Sequence, residues 1–308
     1  MSLKDDRPAS YPFKPDPDRH RNLTCSFMMR YLLTILILIC VTFVSGSAYS
    51  VDINDPFPKA GASYLLQLNG RTLWSHKPDL RLPMASITKI MTALIVLENT
   101  KPDDIVTISQ TAAKETGGRL GLKAGEKVYV KDLISAALIH SANDACRALA
   151  DHVGGNESGF VELMNRHAKK LGLANTHFQN SSGHDHEKHY STANDIAFLT
   201  IICLNNPIIS KMVSTVSMKI KTVNGKRTFL LKNKNEIIGR YEGAQGVKTG
   251  FTSRAGKCLV AYAKRDNTDV LLVLLNSPNR WFIAVEMMDR AFAEAERTLK
   301  KNSEDLPS

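Results

Sequence analysis

The sequence predicts an α+β fold: an antiparallel sheet built from both ends of the chain and packed against a central block of helices. Three observations carry this. A hairpin pattern opens the body of the chain, strand-length apolar runs close it, and the stretch between them has helical periodicity.

After a Pro-containing lead-in over 52–60, Ala62–Leu68 and Arg71–His76 flank Asn69-Gly70. Asn-Gly supplies the positive φ angles of a two-residue hairpin turn. Ser86–Glu98 predicts a helix with Ile90, Ala93, Leu94 and Leu97 on its apolar face, and Lys131–His140 and Asn143–Val153 predict two more. Glu157–Leu171 is amphipathic and closes on Gly172, the residue type that most readily ends a helix. His177–Tyr190 reads as a polar loop and Thr192–Cys203 as a helix. Val216–Val223 and Lys226–Leu231 flank a second Asn-Gly turn, Asn224-Gly225. Ala244–Thr249, Lys257–Lys264 and Val270–Asn276 predict three strands, and an amphipathic helix follows over 281–299. With no repeat or low-complexity linker, 60–300 reads as one domain and 301–308 as a short tail.

The 308 residues are 43% hydrophobic and 23% charged, enough for a substantial core without disulfide support. The formal charge of +10 fits a polyanionic partner. There is no long Lys/Arg block, no zinc-finger spacing and no basic stretch interleaved with aromatics, which argues against nucleic acid and favours an anionic envelope surface. The N-terminus agrees. Arg19, Arg21 and Arg30 precede the apolar run Tyr31–Val44, and Ser45-Gly46-Ser47-Ala48 follows. This is the layout of a signal peptide cut after Ala48, or of an uncleaved anchor giving membrane association. Residues 1–50 are assigned to this lead and signal segment, and Met28 or Met29 would be a more usual start. The expectation is an exported protein, in a periplasm or on the outer face of the cytoplasmic membrane. Cys25 and Cys40 fall in that segment; Cys146, Cys203 and Cys258 read as small buried hydrophobes, with one disulfide among them as the alternative in an oxidising compartment.

Three motifs carry chemistry. In Ser86-Ile87-Thr88-Lys89, residues three apart share one helical face, so an amine can meet a hydroxyl. A serine hydroxyl becomes a nucleophile when a base takes its proton, and lysine is that base once burial or a nearby cation lowers its pKa. Such a pattern occurs by chance about once or twice in a chain of this size, so its setting at a helix start matters. In Ser141-Ala142-Asn143, a hydroxyl and an amide project between two helices; each is also a natural helix cap. Lys248-Thr249-Gly250 ends a predicted strand. A strand edge pairs with extended peptide, Lys248 supplies a cation, Thr249 a hydroxyl, and Gly250 allows close approach.

Taken together, in this order, the motifs resemble those of low-molecular-mass penicillin-binding proteins of the D-alanyl-D-alanine carboxypeptidase type. The resemblance extends over 60–289, through Pro83–Ala93, Ser141–Cys146, Leu171–Phe178 and Gly246–Thr252. It implies a serine β-lactamase/transpeptidase-like fold, release of the terminal D-alanine from peptidoglycan pentapeptide stems through a Ser86 acyl-enzyme, and covalent acylation of Ser86 by β-lactam antibiotics. It implies no metal and no organic cofactor. The implied roles are Lys89 as base, Ser141 as proton relay, Asn143 for the substrate amide, and Lys248 and Thr249 for the terminal carboxylate. Gly250 admits the substrate, and the backbone N–H groups of Ser86 and Phe251 form an oxyanion hole. The chain departs from the pattern at His184, where the family often has Leu, and at Lys234, where it often has Arg; it also stops at Ser308, before the further all-β domain and C-terminal anchor that members often carry.

Four other readings follow from the residues. A D,D-endopeptidase uses the same site, and only cleft shape separates the two. A β-lactamase needs a Glu-held water, for which no Glu-x-x-x-Asn element stands in the expected region. A metal hydrolase would draw on His184, Asp185, His186, Glu187 and His189, with His177 nearby. A sensor that acylates and stalls would have lost a motif residue, and none is lost.

Overall fold

The computed structural model describes residues 55–304. The signal-segment reading, with Cys25 and Cys40, lies outside them.

Nine strands and eight α-helices are described: β1 Ser63–Leu68, β2 Arg71–His76, α1 Lys89–Asn99, β3 Ile105–Thr107, α2 Gln110–Ala113, β4 Lys127–Tyr129, α3 Val130–Ile139, α4 Asn143–Gly154, α5 Glu157–Lys170, α6 Ala193–Leu204, α7 Pro207–Ser214, β5 Ser217–Lys221, β6 Thr228–Lys232, β7 Ala244–Thr252, β8 Gly256–Arg265, β9 Thr268–Leu275 and α8 Arg280–Glu304. The main sheet has the order β2-β1-β9-β8-β7, antiparallel throughout, so both chain ends build it. Each pair β3–β4 and β5–β6 forms a separate two-stranded sheet.

The central strand β9 explains why the sheet has helices on both faces. Its sequence runs Val270-Leu-Leu-Val-Leu-Leu275, all buried. Alternation sends Val270, Leu272 and Leu274 to one side, where Ala284, Met287, Met288 and Ala291 of α8 cover them. Leu271, Val273 and Leu275 face the other side and join the core of the helical block. The α8 residues recur at helical spacing, giving the single apolar stripe that one sheet face requires.

Helix α1 departs from the amphipathic expectation. Every residue from Lys89 to Val96 is buried, so it is the hub of the helical block and not a surface helix. Helix α7 escaped prediction although Asn206 caps it and Pro207 opens it, a recognisable start signal. Strands β3 and β4 and helix α2 are too short for periodicity to reveal. Strand β7 runs on to Thr252, so Lys248-Thr249-Gly250 lies within the strand. The three body cysteines are free and buried, as small hydrophobes. Among the described residues no single helix is long and apolar enough to cross a membrane.

One buried carboxylate fixes the long connection from α2 to β4. Asp144, at the start of α4, accepts the backbone N–H groups of Leu120 (3.0 Å), Gly121 (2.9 Å) and Leu122 (3.0 Å). Buried amides left without an acceptor cost about 1–3 kcal/mol each. Asp144→Ala is expected to remove about 3 kcal/mol of stability and lower the Tm by about 6–10 °C, read by thermal unfolding.

Candidate active site

The chain enters α1 through a 3₁₀ turn, Ala85–Thr88, where a regular helix was expected from Ser86. The difference bears on the chemistry. A 3₁₀ helix has three residues per turn, so side chains three apart eclipse one another. Lys89 Nζ lies 2.8 Å from Ser86 Oγ. The amine also donates to Asn143 Oδ1 (2.8 Å) and to the Ser182 carbonyl. Neither of those oxygens can donate. A neutral amine therefore uses its two N–H bonds on them and turns its lone pair toward the Ser86 hydroxyl. Lys89 is fully buried, and that burial holds it below the ordinary lysine value of 10.5. Ser86 itself is partly exposed.

Asn143 is oriented by the loop before it. Its Nδ2 donates to the Thr116 carbonyl (2.7 Å) and its backbone N–H to that of Gly118 (2.7 Å), which leaves Oδ1 facing Lys89. Ser141 has φ of 62°, a left-handed conformation unusual for serine, at the break between α3 and α4. That geometry brings its hydroxyl to Lys248 Nζ (3.0 Å), which also donates to the Thr249 carbonyl (3.0 Å). Lys248 is buried from the edge strand β7, and burial, reinforced by the nearby Lys89, pushes it well below 10.5. Each of the two buried amines opposes protonation of the other.

A cavity of about 300 Å³ opens above these groups. Ser86, Ser141, Asn143, Thr249, Gly250 and Phe251 line it, and Lys89 and Lys248 sit beneath. The three motifs therefore meet in one place. Gly250 is demanded by close packing: a Cβ there would lie 2.8 Å from the Met84 carbonyl and 3.1 Å from the Ser86 nitrogen. Phe251 is 63% exposed at the cleft mouth.

Sequence reasoning missed several groups. Arg280, at the start of α8, lines the cavity and donates to the Gly250 carbonyl (2.7 Å). No motif announces it, because it arrives from the far end of the chain. Gly183, at φ 92°, abuts the nucleophile turn so closely that a Cβ would lie 2.0 Å from the Ala85 carbonyl. His189 supports the same turn. The Gln179 N–H donates to its Nδ1 (3.0 Å), which places the ring proton on Nε2, and that donates to Thr88 Oγ1 (2.7 Å). The Thr88 hydroxyl donates in turn to the Ala85 carbonyl (2.8 Å). Burial pushes the His189 pKa down to about 4, so the ring is neutral near pH 7.

The His-rich loop is thereby dispersed. His189 faces the core, His184 pairs with Glu115 (2.9 Å), and Asp185 accepts from Thr252 Oγ1 (2.5 Å). Among the described residues no group of three or more His, Cys, Asp or Glu side chains is placed to hold a metal ion. Lys234 lines the cavity at its rim.

The fold and the site define a serine peptidase of the transpeptidase-like class. Residues 56–279 match the peptidase S11 family, described as D-alanyl-D-alanine carboxypeptidase, and the chain belongs to that family. It is 35% identical to the D-alanyl-D-alanine carboxypeptidase DacF of Bacillus subtilis, over 87% of this chain and 72% of that protein. It is 32% identical to the D-alanyl-D-alanine endopeptidase of Escherichia coli, over 80% and 82% of the two chains. The crystal structure of the Streptomyces K15 DD-transpeptidase superposes with a TM-score of 0.72 at 34% identity, covering 76% of this chain and 97% of that one.

Gly183→Ala is expected to fold and to slow acylation of Ser86 about 100-fold, since displacing a nucleophile by about 1 Å costs that order of rate. Time-resolved labelling with a fluorescent penicillin measures it, beside far-UV circular dichroism.

Proposed function

We propose that this protein is a carboxypeptidase of the exported cell envelope, removing the terminal D-alanine from peptidoglycan pentapeptide stems. The observation that carries the reading is the Lys89 amine, buried and 2.8 Å from Ser86 Oγ, beneath a cavity lined by Ser86, Ser141, Asn143 and Thr249. Ser86 attacks the carbonyl between the two terminal D-alanines, and Lys89 takes its proton. The backbone N–H groups of Ser86 and Phe251 receive the oxyanion, usually the largest single catalytic contribution. Ser141, bonded to Lys248, relays the proton taken by Lys89 to the departing amine and remains a hydroxyl. Lys248, Thr249 and the neighbouring Arg280 provide cations and a hydroxyl for the terminal carboxylate. Asn143 donates to or accepts from the substrate amide. Water then hydrolyses the acyl-enzyme.

β-Lactams present a strained amide to the same Ser86 and acylate it. The N-terminal segment supports export, and peptidoglycan is met only outside the cytoplasm. A second reading, cleavage of cross-links, is favoured by the similarity to the endopeptidase relative. It uses the same residues on a branched substrate.

Ser86→Ala is expected to lose both D-alanine release from diacetyl-Lys-D-Ala-D-Ala and the penicillin adduct seen by mass spectrometry. Retained labelling would move the nucleophile elsewhere. The neutral form of Lys89 is the active base, so acylation rises with pH, and burial places that rise below 10.5. Lys89→Arg keeps the charge at every accessible pH and is expected to slow acylation by about 10²–10⁴-fold with the rising limb lost. A normal limb in that variant would assign the base to another group.

A further inference from the structure

We propose that the outer face of the β5–β6 hairpin docks the carboxylate-bearing stem peptides of polymeric peptidoglycan, next to the stem being cut. This rests on the carboxypeptidase reading and adds to it the form of the substrate: a polymer held at two places, not a free peptide.

The hairpin sorts its side chains by strand alternation. Ile220, Phe229 and Leu231 point inward and are buried. Lys219, Lys221 and Lys232 point outward and are exposed, with Lys226 at the turn. Lys127 of β4 is also exposed and adjoins the same turn, where the Val223 N–H donates to its carbonyl (2.8 Å). Among the described residues none of these ammonium groups is paired with a carboxylate, whereas the half-buried Arg227 beside them is bound by Glu126 (2.8 Å). The cations of this hairpin that need a protein partner have one; those on the outer face present their charge to solvent.

Two further features distinguish this face from an ordinary solvated one. Leu230, paired across the strands with Lys219, is 51% exposed in the middle of the lysines. An aliphatic centre with a cationic rim complements a peptide carrying both methyl groups and carboxylates. A bare phosphate polymer would make no use of Leu230, and an anionic lipid surface is separated by the vesicle arm of the test below. Residues two apart on a strand stand about 7 Å apart on one face, so Lys219 and Lys221 form a short charged rail. The rail also leads to the cleft. Strand β6 ends at Lys232, Asn233 is pinned by its side chain to the carbonyls of Val213 (3.1 Å) and Thr215 (2.9 Å), and Lys234 lines the active-site cavity. Lys232 on the outer face and Lys234 in the cavity wall stand two residues apart in the chain, which joins the hairpin directly to the cleft.

Exposed charge pairs are individually weak and screened beyond about 8–10 Å, so the effect is collective and sensitive to salt. The test uses the full chain with Lys219→Gln, Lys221→Gln and Lys232→Gln combined; these exposed side chains make no contact in the cavity. D-Alanine release is measured on pentapeptide-rich polymeric peptidoglycan and on diacetyl-Lys-D-Ala-D-Ala, at low salt and at about 0.5 M salt. The expected result is a loss in kcat/KM of about five- to tenfold on the polymer at low salt, none on the short peptide, and a salt dependence on the polymer that only the unsubstituted protein shows. Equal losses on both substrates, or no loss on the polymer, would overturn the proposal. So would a triple variant that releases anionic phospholipid vesicles while cutting the polymer normally. If the unsubstituted protein cuts neither substrate, the carboxypeptidase reading fails. Co-sedimentation with the same polymer then decides docking by itself: weaker binding of the triple variant supports it, and equal binding overturns it.

Discussion

The Lys89 amine is fully buried, and much of the cleft is organised by what that requires. A buried ammonium without partners is costly, and a buried neutral amine still needs acceptors for its two N–H bonds. Asn143 Oδ1 and the Ser182 carbonyl meet that need, from α4 and from the loop after α5. Each is held in turn. Asn143 is turned by the Thr116 and Gly118 carbonyls, and the loop over 114–126 that carries those carbonyls is gathered by the Asp144 carboxylate. The Ser182 segment is anchored where Glu157 accepts both the backbone N–H and the hydroxyl of Ser181. A chain of short polar contacts thus runs from the surface to one nitrogen.

Three walls of the cleft come from distant parts of the sequence, and small residues decide how closely they meet. Gly183 and Gly250 both pack against the Ala85–Ser86 turn. Ala85, with φ of 48°, holds an unusual conformation between them. Neutral His189 backs the turn through Thr88 without adding a cation near Lys89. The nucleophile is therefore positioned mainly by backbone packing, and the electrostatics are kept lean. That combination suits a base that must be uncharged to work.

The cations divide by location. Lys89 and Lys248 are buried, have lowered pKa values and serve chemistry within the cleft. Arg280 reaches the same cleft from α8. The exposed lysines of the β5–β6 hairpin face solvent and act collectively. A net charge of +10 is thus two kinds of charge, and only the structure separates them.

The sequence by itself determined the α+β layout, both hairpins, the sheet from both chain ends, and the three motifs that meet at the cavity. These are local properties: strand and helix periods, Asn-Gly turns, and residue types at short spacing. The tertiary structure alone decided the rest. Helix α1 is a buried hub because other helices surround it, which its own periodicity does not record. The Ser86 turn is 3₁₀, and Gly183 and Gly250, from segments far along the chain, pack directly against it. Arg280 and His189 join the site through contacts more than 20 residues away in sequence, where no spacing rule reaches. The histidines of the loop over His177–Tyr190 look like a metal set when written in a line. Folding points His184 at Glu115 and His189 into the core, because side-chain direction is set by packing and not by order along the chain.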